Sequence, residues 1–310
     1  MIQLSSLVRP LRRRLPLALL GLSVAGGLGA FVPNVAAAPP QPSYGIATES
    51  PGATREAARV LTDGGNAFDA AVVAALVAGL TAPTSSGLGG GGFALVWSAR
   101  DQKPTVIDFR ETAPAAVDAA VLNQRPVPEE KRGQTVGVPG ELAGLFELHQ
   151  RYGKLAWSAI VGRAARLAAR GFAAEPHNTL QLADQQKTPL ARSAHFRSVY
   201  LPGGSVPQLG ATLRSPRLSK TLSRIAAEGK RALYEGPVAT DIVQAVKSAG
   251  GSLELSDLAS YKVVEREPLR IKWAGKEVLT MPPPSAGGLL LAETLRLFEP
   301  SELTALNDAP

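Results

Sequence analysis

The chain contains no cysteine among its 310 residues. That single absence excludes disulfides, thiolate zinc sites, a cysteine nucleophile and a lipid-modified N-terminal cysteine. Histidine is scarce too: His149, His177 and His195 are too few and too scattered for a histidine-built metal centre. The first 37 residues hold Arg9, Arg12, Arg13 and Arg14 but no acid, and they account for much of the formal net charge of +7. Without them, 29 Lys+Arg stand against 26 Asp+Glu, a net +3 with the charges scattered. Such a balance gives no footprint for nucleic acid. What remains is an ordinary globular composition, 45% hydrophobic and 19% charged, with no internal repeat and no separate linker.

The acid-free segment 1–37 is expected to be a secretory signal peptide. Its basic residues precede an apolar stretch from Leu15 to Val32 and the small residues Val35-Ala36-Ala37. Cleavage after Ala37 fits the small-x-small rule, whereas cleavage after Ala38 would put Pro39 in the disfavoured next position. The competing reading is a retained anchor, since 18 apolar residues could just cross a bilayer. Gly21, Gly26, Gly27 and Gly29 favour the signal, and the paired arginines hint at twin-arginine export without deciding the route. A periplasmic or secreted protein, free of the membrane once the signal is removed, is therefore expected.

Beyond a Pro-rich spacer, the mature chain reads as one α/β unit. Residues Ala53 to Leu61 predict a short helix with Ala57, Ala58 and Leu61 on one side, stopped at Gly64-Gly65. Asn66 is placed to cap a very apolar helix, Ala67 to Leu80, carrying Asp69 in its first turn where the helix dipole favours an acid. Strands are expected over Gly92–Ala99 and Thr105–Phe109, with Asp101 to Pro104 as the turn. Pro139-Gly140 opens a helix with Leu142, Leu145, Phe146 and His149 on one stripe, and Gly153 closes it. Further helices are predicted at Leu155–Arg170, Pro216–Glu228, Val238–Ala249 and Gly287–Phe298. Strand patterns cover Tyr261–Trp273 and Glu277–Met281, while residues 186 to 214 show no period and are expected to be loop.

Three segments offer chemistry. In Ser85 to Gly92, Gly87, Gly89 and Gly92 satisfy a G-x-G-x-x-G spacing, but the run follows a helix and opens a strand, the reverse of a dinucleotide site. Its glycines either form a tight turn or let backbone and substrate approach closely. Arg110 comes directly off the second strand, where a guanidinium can grip a carboxylate in two parallel hydrogen bonds. Pairing with a neighbouring acid is the plainer alternative. Ser285, at the end of a proline-stiffened segment, is most simply a helix N-cap. His149 reads as a core or boundary histidine, and Glu129 to Arg132 as a solvated loop. No Ser-His-Asp set stands out.

Taken in order, these segments resemble the γ-glutamyltranspeptidase (glutathione hydrolase) family. The resemblance rests on Asp63-Gly64-Gly65-Asn66-Ala67-Phe68-Asp69-Ala70-Ala71, the glycine run ending at Phe93, and Arg110-Glu111-Thr112-Ala113-Pro114. It continues through Val136-Gly137-Val138-Pro139-Gly140, Leu233 to Ala239 and the triple-proline motif Met281 to Gly288. It covers nearly everything from about Gly45 to Glu299. The family implies an N-terminal-nucleophile hydrolase fold, an α/β/β/α sandwich produced by autocleavage of one precursor. It implies a threonine at the head of the small subunit that attacks a γ-glutamyl amide, with its own α-amino group as base. Water or an acceptor amino acid or peptide then resolves the γ-glutamyl-enzyme, with no cofactor and no metal. By the same resemblance, Arg110 matches the arginine that binds the α-carboxylate of glutathione and other γ-glutamyl substrates.

The departures shape the expectation. No Thr-Thr-His-like stretch occurs, Thr304 between Leu303 and Ala305 lacks that context, and Ala286 replaces the serine usual after Ser285. Residues 38–310 therefore resemble a large-subunit region, truncated at its C-terminal end, whose sandwich is incomplete and whose activity needs the small subunit of the same precursor. A related acylase, acting on β-lactam side chains or poly-γ-glutamate, and a non-catalytic remnant are the alternatives.

Overall fold

The structure is a computed structural model that describes residues 44–298 apart from position 125. The expected signal segment and Thr304 lie outside the described residues. From Ile46 onward the described residues form one compact unit.

Helix α1 (Pro51–Thr62) begins with proline, whose missing N–H costs nothing in a first turn, behind the Ser50 hydroxyl that accepts from Ala53 N at 3.0 Å. Its buried stripe runs through Ala53, Ala57 and Val60. Ala58 and Leu61, expected on that stripe, are only half-buried, while Glu56 is buried and ion-pairs with Arg59 and Arg170. Helix α2 (Ala67–Thr81) starts at Asn66 in a reciprocal capping box with Asp69. Val72, Val73, Val77 and Leu80 are fully buried, as a helix apolar nearly all round requires.

Strands β1 (Phe93–Ser98) and β2 (Lys103–Asp108) pair antiparallel, Phe93 opposite Asp108 and Ser98 opposite Lys103. The turn is Ala99–Gln102, two residues earlier than the sequence suggested. Pro104 sits inside β2, tolerated because the next strand in the sheet pairs only with Val106–Asp108 and leaves the proline at an open edge. A short helix α3 (Ala119–Leu122) and a 3₁₀ segment at Glu129–Thr135 precede α4 (Glu141–Tyr152), which runs between Gly140 and Gly153 as expected. The charged run Glu129–Arg132 is solvent-exposed, though helical rather than loop.

Helix α5 (Trp157–Arg170) starts two residues later than its periodicity implied, because Leu155 lends its backbone to Asp69 and His149. Gly171, at φ +117°, ends it. A two-residue strand β3 (Phe172–Ala173), α6 (Pro176–Gln185), α7 (Ala194–Tyr200) and β4 (Thr212–Leu213) follow, with β3 and β4 paired. The expected loop 186–214 thus holds a helix and a strand. Seven residues of α7 are too few to show a period, yet Phe196, Val199 and Tyr200 are buried in the core.

Helices α8 (Pro216–Glu228), α9 (Arg231–Tyr234), α10 (Gly236–Ser248) and α11 (Leu255–Ser260) come next. The strand pattern over Tyr261–Trp273 divides at Pro268 into two strands of different sheets. Of these, β5 (Val264–Arg266) joins β2, while β6 (Leu269–Trp273) forms a hairpin with β7 (Lys276–Thr280). Ala274 and Gly275, both at positive φ, make that hairpin turn. Helix α12 (Ala286–Leu297) starts at Ser285, which occupies the N-cap position without a side-chain capping bond. The core lies where α2 packs on α1 and α5, and α5 on α8.

Candidate functional site

Three of the sequence motifs converge where β2 ends. Phe109 continues the ladder opposite Gly92, its N–H donating to Gly92 O at 2.9 Å. Gly90 O accepts from both Gly140 N (2.8 Å) and Glu141 N (2.9 Å), so the glycine run supplies the acceptor that the first N–H groups of α4 need. Thr112 and Val138 exchange backbone bonds across an isolated antiparallel bridge. The glycines make this closeness possible. A Cβ on Gly91 would stand 2.4 Å from Phe109 O, and one on Gly140 would stand 2.0 Å from the same oxygen.

Asp108 fixes the exit of β2. It is buried, takes Arg266 Nε at 2.7 Å and accepts from Arg110 N at 3.0 Å. On the far side, Tyr261 donates its hydroxyl to Arg110 O at 2.8 Å and stacks on Tyr234, ring centroids 5.8 Å apart. The Tyr234 hydroxyl donates to Pro139 O at 2.8 Å and accepts from Ala143 N at 3.3 Å. Burial pushes the Tyr261 phenol up to about 12 and the Tyr234 phenol higher still, so both are neutral donors at any ordinary pH.

The backbone of Arg110 is thus held from both sides while its side chain stays exposed. Among the described residues the guanidinium ion-pairs only with Glu111, through Nε at 3.2 Å, and lies 5.8 Å from the centre of the Phe93 ring. Arg110 lines a cavity of about 550 Å³ whose walls also include Gly89, Thr112, Pro114, Gln134 and Val136. The plainer half of the sequence expectation for Arg110, a neighbouring acid, is present in Glu111.

A second cavity of about 510 Å³ shares Gly89 and Glu111 with the first. Its walls are Gly79, the segment Pro83–Gly87, Gly89–Gly91, Glu111 and Glu141. Glu141 is only 7% exposed, and burial drives its carboxyl up to about 7. Repulsion from Glu111 pushes the same way, opposed by the Gly87 N–H that donates to Oε2 at 3.4 Å.

The remaining sequence candidates fall elsewhere. His149 is buried, its Nε2 2.8 Å from Leu155 O and 3.7 Å from Asp69 Oδ1, the core histidine expected. Ser285 lines neither cavity. Ser85, His177 and Glu49 come together unannounced by the sequence. Ser85 Oγ at 3.4 Å and Glu49 Oε2 at 3.8 Å both face the same Nε2, so no base oriented through its second nitrogen results. Glu141 and Tyr261 were also missed. In sequence, Glu141 is an acid in a helix's first turn, which ordinarily faces water.

Residues 53–309 match the family model for gamma-glutamyltranspeptidase. The chain belongs to this family. Glutathione hydrolase 2 of Arabidopsis thaliana is 38% identical over 243 residues, which are 78% of this chain and 42% of that protein. The chain spans well under half the length of the curated relatives it matches. Among solved structures, the transpeptidase CapD of Bacillus anthracis aligns with a TM-score of 0.74 at 34% identity, covering 86% of each chain. The gamma-glutamyltranspeptidase of Pseudomonas nitroreducens, complexed with L-DON, aligns at 0.71 and 33%, covering 79% of this chain and 73% of that one. The shared fold is the N-terminal-nucleophile hydrolase-like α/β arrangement that the motifs implied. Among the described residues it comprises one three-stranded sheet, order β1-β2-β5, two two-stranded sheets and the helices around them.

Proposed function

We propose that this chain forms the γ-glutamyl-recognising part of an exported γ-glutamyltransferase/glutathione hydrolase. The observation that carries the reading is Arg110, a cation rigidly based on Asp108 and Tyr261 that lines a cavity. Two parallel N–H donors of a guanidinium suit the α-carboxylate of glutathione or another γ-glutamyl compound. The nucleophile in this reading is the hydroxyl of a threonine heading the small subunit of the same precursor. Its oxygen bonds to the γ-carbonyl carbon, its α-amino group takes the hydroxyl proton, and that proton passes to the departing amine. Water or an acceptor amine then cleaves the ester and frees the threonine.

Apolar surface supports a further segment against this one. Leu95 and Trp97 are exposed on one face of β1, Val264 is exposed on β5, and α12 exposes Leu289, Leu290, Leu291 and Leu297. Each Å² of apolar surface kept from water contributes roughly 25 cal/mol, and unpaired sheet edges invite association. Residues 38–310 alone are accordingly expected to aggregate or bind a hydrophobic dye, and to release nothing from a chromogenic γ-glutamyl anilide. No helix among the described residues is long and apolar enough to cross a membrane. The leader 1–37 is proposed to direct export to the periplasm or medium, which N-terminal sequencing of the mature protein checks.

The test of the function is complementation. Adding a threonine-led small subunit should restore solubility and turnover, and Arg110→Lys should then raise KM for the anilide strongly; in a fused single-chain precursor the same substitution should leave autocleavage intact. Turnover by the chain alone, or an unchanged KM in Arg110→Lys, would overturn the reading.

A further inference from the structure

The cavity beside Arg110 carries an unsatisfied requirement of its own. Glu141 presents one carboxyl oxygen, Oε2, to Gly87 N; the other, Oε1, is buried without a partner among the described residues. Thr84, which lines the same cavity, has its Oγ1 buried without a partner among the described residues as well. A buried acceptor left unmade forfeits far more than an ordinary hydrogen bond contributes, and a charged one more still. Two such atoms in one cavity therefore call for a donor that enters from outside. The charges say which kind. Two carboxylates line the space, Glu111 and Glu141, and among the described residues only Glu111 has a cation, Arg110. Once ionised, Glu141 leaves the cavity one negative charge in excess. The glycine walls leave room, and Ser85 and Ser86 add hydroxyls at the rim.

We infer that this cavity binds a primary ammonium group, held between the Glu141 carboxylate and the Thr84 hydroxyl. Three N–H donors on one compact cation match a carboxylate and two or more hydroxyl acceptors. The cavity adjoins the Arg110 cavity through Gly89 and Glu111, so the ammonium sits next to the place proposed for the γ-glutamyl α-carboxylate. If the acyl-transfer reading holds, on which this assignment of the ligand rests, the ammonium belongs to the amino acid or peptide acceptor. The ammonium site itself stands on Glu141 and Thr84 alone.

The pH dependence follows from the groups that face Glu141. These are Glu111 and Arg110 beyond β2, Tyr234 of α9 and, at the rim, His177 of α6 beside Ser85. The tyrosine stays neutral, and Arg110 keeps Glu111 paired. An ammonium ligand and the Glu141 carboxylate are both charged only between the carboxyl's own titration and that of an α-amine near pH 8. Affinity for an amine should therefore peak between about pH 7 and 8.

Glycinamide is the probe, because it carries an ammonium and no carboxylate for Arg110. Carbon-13 NMR of the Glu141 carboxyl in the protein complemented with a threonine-led small subunit should show its titration midpoint falling by about one unit or more on adding glycinamide. Acetamide, the neutral counterpart, should leave it in place. Glu141→Gln should weaken glycinamide binding about tenfold or more, while binding of N-acetyl-L-glutamine, which has the α-carboxylate but a blocked amine, persists. Arg110→Lys should do the reverse. The wild-type titration needs no variant and stands even if Glu141→Gln does not fold. A midpoint unmoved by glycinamide, or moved equally by acetamide, means that the cavity holds water only and overturns the inference. Loss of N-acetyl-L-glutamine binding alone would sink the Arg110 reading and leave the ammonium site untouched.

Discussion

Helices α2 and α4 begin alike in sequence, with a small or polar residue followed by an acid in the first turn, yet the two acids have opposite lives. Asp69 is fully buried and fully used. Its carboxylate accepts from Asn66 N, from Lys154 N at 3.0 and 3.2 Å, and from Leu155 N at 3.2 Å, and it lies beside His149. Asn66 completes the corner by donating to Tyr152 O at 2.6 Å. Glu141 is nearly as buried but, among the described residues, has one weak partner and one oxygen without any, and it lines a cavity. One acid locks the end of α4 to the start of α2; the other holds an open requirement at the start of α4. Burial alone therefore does not separate structural from functional acids. Counting the partners of each oxygen does.

The comparison breaks most visibly through Asp69. Asp69→Ala strips a fully buried acceptor from three backbone N–H groups, those of Asn66, Lys154 and Leu155, and should destabilise the fold by about 3 kcal/mol. Urea unfolding measures this, and a loss under about 1 kcal/mol would deny the corner its role. Glu141 should show the contrary sign of an unpaired acid. Its carboxyl titrates at about 7 in the fold against an ordinary 4.5, so the folded state holds the proton more tightly. Its contribution is complete below about pH 4.5 and disappears as pH rises through about 7, a swing of about 3 kcal/mol. Unfolding free energies of wild type and Glu141→Gln, compared between pH 4.5 and 8, should diverge by that swing. Parallel curves would mean that the carboxyl is paired after all.

Much of the frame was legible beforehand. The caps at Asn66, Gly153 and Gly171 and the helices from Ala67, Glu141 and Pro216 follow from local chemistry, which needs only neighbours in sequence. What escaped depends on distant partners. Helix α7 is ordered by burying Phe196, Val199 and Tyr200 rather than by any period of its own. The hairpin turn moved because Pro104 found an open edge in β2. Arg110 could be singled out by its place after a strand and by the motif around it. Glu141 could not, since nothing local tells that Gly90 O and the glycine run would close over an acid in a first turn.

A smaller effect sharpens the Arg110 side. Tyr261→Phe removes the single bond from Tyr261 to Arg110 O and should cost about 1 kcal/mol of stability, with a larger relative loss in affinity for a γ-glutamyl carboxylate as the strand exit loosens. Thermal melts alongside binding isotherms separate the two, and equal losses in both would make Tyr261 a packing residue only.

The most direct test of the central claim, that Arg110 is a receptor and not a surface ion pair, is a calorimetric titration of N-acetyl-L-glutamine into wild type and Arg110→Lys, each complemented with the threonine-led small subunit. An exposed pair with Glu111 contributes roughly 0–1 kcal/mol, so the melting temperature should barely move. Affinity should fall about tenfold or more as a two-donor contact becomes a point charge. Equal affinity in the two proteins, with the fold intact, would contradict the account.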